Sequence, residues 1–129
     1  RVIEVNILGP VNLTKAVVPI MKKQKSGTII NINSQAGLYA KAERSVYNLT
    51  KWGLTGFSKS LQAEMAKYGI RVTDVHPGKM KNDMFIKMGI DKPLDDAMDP
   101  KYVAQMIEVV LALPPDVVIP EIGIKSIKK

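Results

Sequence analysis

The sequence has 129 residues, of which 46% are apolar and 24% are charged, with a net charge of +7 and no cysteine. This length is enough for one modest domain with its own core. The lack of cysteine excludes a disulfide framework and a thiolate metal site, and the single histidine, His76, excludes a multi-histidine metal site. We therefore predict no metal centre.

The positive charge comes from lysines spread along the chain and from the segments "MKKQK" and "KSIKK". Nucleic-acid interfaces combine clustered arginines with aromatic residues, and aromatic residues are only 5% of this chain. We favour a solvated basic surface, with a lysine-rich nucleic-acid binder as the alternative. No apolar run reaches the ~18 residues of a membrane span, and the N-terminus is not built like a signal peptide. We expect a cytoplasmic location and no membrane partner.

The predicted elements alternate between helices and strands. In chain order they are a helix over 2–23 that Pro10 and Pro19 interrupt, a strand over 27–34, a helix over 45–68 capped by Gly69, a strand over 70–76, a helix from Asp99-Pro100 to about 113, and a strand over 116–122. Apolar strands alternating with helices are typical of a parallel sheet built from right-handed βαβ units. The sequence therefore predicts an α/β fold.

Tyr47 and Lys51 lie four residues apart on the predicted helix 45–68, so they share one face of it. A free tyrosine loses its proton only near pH 10. An ammonium ~4 Å away favours the phenolate by about 4 kcal/mol at an effective dielectric constant of ~20. This would lower the pKa of the phenol towards neutral pH, where a general acid/base works best. On an arbitrary helix the same pair is more often structural. Its neighbours favour the catalytic interpretation, because Ser34 ends a strand where parallel sheets bind ligands.

Four segments together resemble the second half of the short-chain dehydrogenase/reductase family: "VNILGP", "GTIININSQAG", "YNLTKWGLTGFSKSLQAEMAKYGIRV" and "VHPG". The resemblance runs from Asn6 to the last strand. It implies the C-terminal half of a Rossmann-like, doubly wound parallel sheet. It also implies an oxidoreductase that transfers hydride between NAD or NADP and a small carbonyl or alcohol substrate.

The resemblance assigns roles to the matching positions. The implied catalytic residues are Asn6, Ser34, Tyr47 and Lys51, and the implied cofactor-binding residues are Tyr47, Lys51, Pro77, Gly78, Met80 and Asn82. Tyr47 would exchange a proton with the substrate oxygen, Ser34 would hydrogen-bond that oxygen, and Lys51 would also hold the nicotinamide ribose. Asn6 would hold a relay water. The family often has a threonine where this chain has Asn82, whose amide can also bond a carboxamide or a phosphate.

The glycine-rich turn that binds the cofactor pyrophosphate in this family is absent from the 129 residues. We therefore expect a single partial domain, the catalytic half without the cofactor-binding half, whether by truncation, cleavage or disorder of the rest. The alternative function is a catalytically inactive fragment or an NAD(P)-binding regulatory module of the same fold. We interpret His76 as structural rather than catalytic.

The small residues Gly53, Gly56 and Ser60 share one face of the predicted helix 45–68. In the family this helix and the one over 2–23 form a homodimer interface, which the resemblance implies here. The alternative is close packing of this face on the protein's own sheet. A further hypothesis concerns Pro10, which has no N–H and leaves the Asn6 carbonyl free to hold the relay water.

Overall fold

The structure is a computed structural model that describes residues 1–38, 42, 44–81 and 96–128. A π-helical turn, Glu4–Leu8, leads into the first α-helix. The regular elements are then α1 (Gly9–Gln24), β1 (Gly27–Ile32), α2 (Ser45–Met65), β2 (Ile70–Pro77), α3 (Lys101–Ala112) and β3 (Glu121–Ile124). This order confirms the predicted alternation of helices and strands. Among the described residues, no helix is both long and apolar enough to cross a membrane.

The three strands form one parallel sheet in the order β1-β2-β3. The pairing of β1 with β2 runs from Gly27↔Ile70 to Ile32↔Val75, and β2 with β3 ends at Pro77↔Ile124. All three carboxyl ends therefore lie at one edge of the sheet. Ligands of open α/β folds bind at this edge.

Alternate side chains of β2 pack on opposite faces of the sheet, as the twofold repeat of a strand requires. Ile70 and Val72 pack with Leu61 and Met65 of α2, and Val18 and Met21 of α1 join them. Val75 packs with Met98 and with Val103 of α3. Helices thus cover both faces, which confirms an α/β sheet of the Rossmann type.

The predicted bounds of the first and third strands are wrong, and the second strand extends one residue beyond its predicted end, to Pro77. The strand predicted over 27–34 ends at Ile32, because the chain turns into a 3₁₀ segment at Gln35–Gly37. The strand predicted over 116–122 is Glu121–Ile124. Pro120 has no N–H to donate to a ladder, although its carbonyl accepts a bond from the Asp74 N–H at 3.0 Å.

The predicted helix 45–68 also divides, since α2 ends at Met65 and a 3₁₀ turn continues to Tyr68. Gly69 then has φ of +73°, a left-handed conformation that favours glycine. A Cβ at this position would lie 2.7 Å from the carbonyl oxygen of Lys25. The predicted glycine cap is therefore confirmed, and it brings the end of α2 against the end of α1.

Candidate active site

Tyr47 and Lys51 lie one turn apart on α2, as their spacing predicted. The Lys51 Nζ is 5.6 Å from the centroid of the Tyr47 ring, within the range of a cation–π contact. Both side chains are half-buried. Among the described residues, neither the Tyr47 hydroxyl nor the Lys51 ammonium makes a hydrogen bond, so both polar ends are available to a ligand.

Asn6 is joined to α2 through a threonine. Its Nδ2 donates to Thr50 Oγ1 at 3.2 Å, and Thr50 Oγ1 donates to the main-chain carbonyl of Tyr47 at 2.7 Å. Asn6 lies within the π-helical turn, where the Gly9 N–H donates to the Glu4 carbonyl. The wider turn and the missing N–H of Pro10 exclude a regular i to i+4 bond to the Asn6 carbonyl.

Ser34 follows β1 by two residues and is half-buried at the carboxyl edge of the sheet. Its main-chain carbonyl accepts two bonds, from the Gly37 N–H at 2.9 Å and from His76 Nδ1 at 2.9 Å. Ser34 therefore has a main chain fixed from two directions, one local and one from the neighbouring strand β2.

Asn33 ties this edge to the catalytic helix. It is buried, and its Nδ2 lies 3.2 Å from the Lys51 carbonyl, 2.9 Å from Thr55 Oγ1 and 3.1 Å from Asp74 Oδ2. Thr55 Oγ1 in turn lies 3.0 Å from the Gly37 carbonyl. The amide thus connects the end of β1, next to Ser34, with β2 and with the turn of α2 that carries Lys51.

Pro77 ends β2 and Gly78 follows it, at the same edge of the sheet as Ser34. The Gly78 N–H donates to the Ile124 carbonyl at 2.8 Å. A Cβ on Gly78 would lie 2.7 Å from Lys125 Cβ and 3.7 Å from Gln35 Cγ, so glycine allows this close approach. Met80, a half-buried residue, forms a bridge with Met98. Asn82, the remaining predicted cofactor residue, lies outside the described residues.

Three side chains beside this edge form a cluster, called here the charged cluster: Asp74 and His76, which are buried, and Glu121, which is partly exposed. His76 Nε2 lies 3.3 Å from Asp74 Oδ2 and 2.8 Å from Glu121 Oε1. Burial raises the pKa of Asp74, while the Asn33 hydrogen bond and the His76 charge oppose that shift. The structural interpretation of His76 agrees with its complete burial.

The charged cluster is also the one group of described residues whose possible metal ligand atoms all lie within 4.8 Å of one another. Two ligands on a tetrahedral zinc with ~2.0 Å bonds are about 3.3 Å apart. The 2.8 Å between His76 Nε2 and Glu121 Oε1 is shorter. We therefore interpret the group as an ion-pair cluster.

The sequence reasoning did not identify Asn33, Asp74 or Glu121. Each contacts residues far away in the chain, as in the Asn33–Asp74 pair, 41 residues apart. The available signal was weak: polar side chains interrupting strand segments that are otherwise apolar. The register of the sheet is needed to bring them together.

Gly53 and Gly56 have different surroundings. A Cβ on Gly53 would lie 3.2 Å from Cδ1 of Ile7, in the π-helical turn, whereas a Cβ on Gly56 would meet nothing within 4 Å. Gly53 therefore packs on the chain's own first helical segment, a contact that neither sequence interpretation included. Gly56 and Ser60 are exposed.

Comparison with known proteins identifies the family. The family model for short chain dehydrogenases matches residues 1–93. Carbonyl reductase family member 4 of Xenopus tropicalis is 38% identical over 117 residues, covering 87% of this chain and 50% of the relative. The chain thus spans half the length of that relative.

Solved structures agree. Serine dehydrogenase from Escherichia coli superposes with a TM-score of 0.78 at 32% identity, covering 92% of this chain and 49% of the other. The closed form of serine dehydrogenase complexed with NADP⁺ gives 0.85 at 30% identity, covering 95% and 53%. The parallel sheet, the Tyr47–Lys51 pair on α2 and these similarities lead to one assignment: this chain belongs to the short-chain dehydrogenase family.

Proposed function

We propose that this chain supplies the catalytic half of an oxidoreductase that transfers hydride between NAD or NADP and a carbonyl or alcohol, with Tyr47 as general acid/base. The observation that carries the proposal is the Tyr47–Lys51 pair. Its ring and ammonium are 5.6 Å apart, and both polar ends are unoccupied among the described residues. Ser34 lies at the carboxyl edge of the sheet on which α2 packs.

In the direction of reduction, the Tyr47 hydroxyl gives its proton to the substrate oxygen. The Lys51 ammonium stabilises the phenolate that this transfer leaves. The Ser34 hydroxyl donates a hydrogen bond to the same oxygen and holds it near the phenol. In the direction of oxidation, the phenolate takes the proton from the alcohol. Asn6, fixed on α2 through Thr50, holds a water that returns the proton to solvent.

The residues at the carboxyl edge fit the nicotinamide end of the cofactor, which supplies or accepts the hydride when bound. The Lys51 ammonium suits ribose hydroxyls. Pro77, Gly78 and Met80 supply main chain and apolar surface at and just after the end of β2. The complex of serine dehydrogenase with NADP⁺ supports a nicotinamide cofactor. These residues do not choose between NAD and NADP.

The sharpest test of the function is Tyr47→Phe in the complete enzyme that contains this chain. The variant removes only the hydroxyl, so turnover should fall by at least ~10²-fold, the lower range for general acid/base catalysis, while cofactor affinity stays near the parent value. Tyr68→Phe is the matched control, because Tyr68 also lies under lysine ammoniums, those of Lys22 and Lys67. Turnover of Tyr47→Phe within a few-fold of the control would refute the proposal.

Residues 1–129 on their own should be inactive, because their sequence has no glycine-rich turn for the pyrophosphate. We expect them to bind reduced NAD or NADP no better than millimolar. A fluorescence titration with both reduced cofactors tests this. Micromolar binding would instead favour the alternative, an NAD(P)-binding regulatory module.

We also propose that the enzyme is a homo-oligomer that pairs through the helical segments 2–23 and 45–68. The support is the open space over Gly56 on α2 and the exposed apolar side chains of the same helix, Leu49 and Trp52. The cytoplasmic location stays a prediction, which cell fractionation would test.

A further inference from the structure

The ring of His76 lies between the carboxylates of Asp74 and Glu121 on one side and the main chain of Ser34 on the other. The side chain is completely buried. Its Nδ1 lies 2.9 Å from the Ser34 carbonyl oxygen. A carbonyl oxygen can only accept a hydrogen bond, so Nδ1 carries a hydrogen and donates it. This fixes which ring nitrogen faces Ser34.

The opposite nitrogen of the ring faces carboxylates from two strands. His76 Nε2 lies 3.3 Å from Asp74 Oδ2 and 2.8 Å from Glu121 Oε1. Lys59 on α2 also faces this group, with its Nζ 3.5 Å from Glu121 Oε2. A flip of the imidazole ring would move Nδ1 away from the Ser34 carbonyl and Nε2 away from the carboxylates. The two carboxylates and the Ser34 carbonyl therefore favour a single orientation of the ring.

A second hydrogen bond joins the segment of Ser34 and Gln35 to β2, and here β2 supplies the acceptor instead of the donor. Gln35 Nε2 donates to the His76 carbonyl at 2.7 Å. The regular ladder between β1 and β2 has already ended, its last contact being the Asn33 N–H to the Val75 carbonyl at 2.7 Å. Beyond that point, two side-chain bonds replace the ladder and hold Ser34 and Gln35 against β2.

We propose that His76 is a positioning residue for Ser34: its Nδ1–H, oriented by Asp74 and Glu121, holds the Ser34 main chain so that the hydroxyl meets the substrate oxygen. This inference rests on the proposed function, in which Ser34 binds that oxygen. Without His76, the Ser34 carbonyl loses the bond from the neighbouring strand and keeps the local bond from the Gly37 N–H.

The test is a double-mutant cycle in the complete enzyme. His76→Leu fills the space without a donor, and His76→Asn keeps an amide donor near the position of Nδ1. His76→Leu should lower kcat by about ten- to a hundredfold, the effect of a misplaced catalytic group, with cofactor affinity unchanged. His76→Asn should retain kcat within a few-fold of the parent. In a Ser34→Ala background, His76→Leu should cause no further loss, because the group it positions is gone.

The matched control is Thr73→Val, which removes another buried polar contact of β2, the 2.7 Å bond from Thr73 Oγ1 to the Ile119 carbonyl, and leaves Ser34 untouched. An equal loss from His76→Leu with and without Ser34 would overturn the proposal and show a general structural role. So would a loss in His76→Asn as large as in His76→Leu. These outcomes leave the Tyr47→Phe result unaffected, so the proposed function is judged separately.

A spectroscopic measurement covers the case in which His76→Leu does not fold. In the unsubstituted enzyme labelled with ¹⁵N, we expect Nδ1 of His76 to carry a hydrogen at neutral pH. The His76→Asn spectrum identifies the signal by its loss. A ring with a bare Nδ1 could not donate to Ser34 and would overturn the proposal.

Discussion

Asn33 donates from Nδ2 to the main-chain carbonyl of Lys51 at 3.2 Å, so the residue before Ser34 holds the turn of α2 that carries the lysine. The same nitrogen is within hydrogen-bond distance of Thr55 and Asp74. Two candidate catalytic residues from different elements thus depend on one buried amide. All three contacts use this one nitrogen, since Asn33 Oδ1 has no hydrogen-bond partner among the described residues.

Asn33→Leu should therefore destabilise the protein more than a substitution that removes a single hydrogen bond. It leaves Asp74 Oδ2 and Thr55 Oγ1 without this donor, and we expect a loss of about 2–3 kcal/mol in the free energy of unfolding. Asn31→Leu, two residues earlier and within β1, is the matched control. Asn31 makes one side-chain bond, to Ser58 Oγ at 2.8 Å, and should lose about 1 kcal/mol. Equal losses in urea unfolding would contradict the network.

Lys51→Ala should lower both turnover and cofactor affinity, because its ammonium serves the phenolate and the ribose. We expect at least a tenfold loss in each, measured by steady-state kinetics and by cofactor titration, which corresponds to about 1.4 kcal/mol per step. Lys67→Ala is the control, since the Lys67 Nζ also lies over a tyrosine ring, at 5.3 Å from that of Tyr68. A loss of turnover with unchanged cofactor affinity would contradict the role of Lys51 in binding the ribose.

Asp74 should give stability an unusual pH dependence. Burial raises its pKa in the folded protein, so the folded state binds more protons between the unfolded value of ~3.9 and the folded one. The contribution of this carboxyl is present below the unfolded pKa and is lost as pH rises through the folded pKa. Asp74→Asn should therefore gain stability relative to the parent as pH rises from about 4.

For Asp96→Asn, the stability difference from the parent should change with pH in the opposite direction. The hydrogen bond from Lys79 lowers the pKa of the exposed Asp96, so its contribution is present above the unfolded pKa and is lost as pH falls through the folded one. Denaturant unfolding of both variants and the parent over about pH 2 to 7, which extends below as well as above the ordinary aspartate pKa, measures both trends. A pH-independent difference between Asp74→Asn and the parent would contradict the effect of burial.

Gly56→Arg should break self-association while leaving the fold intact. A Cβ at Gly56 meets nothing within 4 Å in the same chain, so a large side chain there points into open space. In a dimer that pairs through α2, this side chain would clash with the neighbouring copy. Sedimentation velocity should show a dimer for the parent and a monomer for the variant. Gly56→Ala is the control, since it adds one methyl group and about 1 kcal/mol of helix propensity. A monomeric parent would rule out the proposed interface.

The sequence by itself determined the features that depend on local spacing. The order of helices and strands follows from hydrophobic periodicity, and the shared face of Tyr47 and Lys51 follows from the helical repeat. Gly69 ends the second helical segment because its left-handed φ favours glycine. These features need only a few neighbouring residues, so the sequence contains all the information required.

The tertiary structure alone decided which polar groups meet at the carboxyl edge. The residues Asn33, Asp74 and Glu121 are far apart in the chain, and the parallel register aligns Asp74 with Glu121 and Asn31 with Asp74. It also decided that Gly53 packs on Ile7 and that β3 begins after Pro120. Each depends on how strands and helices pack, because a shift of one residue in register would turn these side chains to the other face of the sheet.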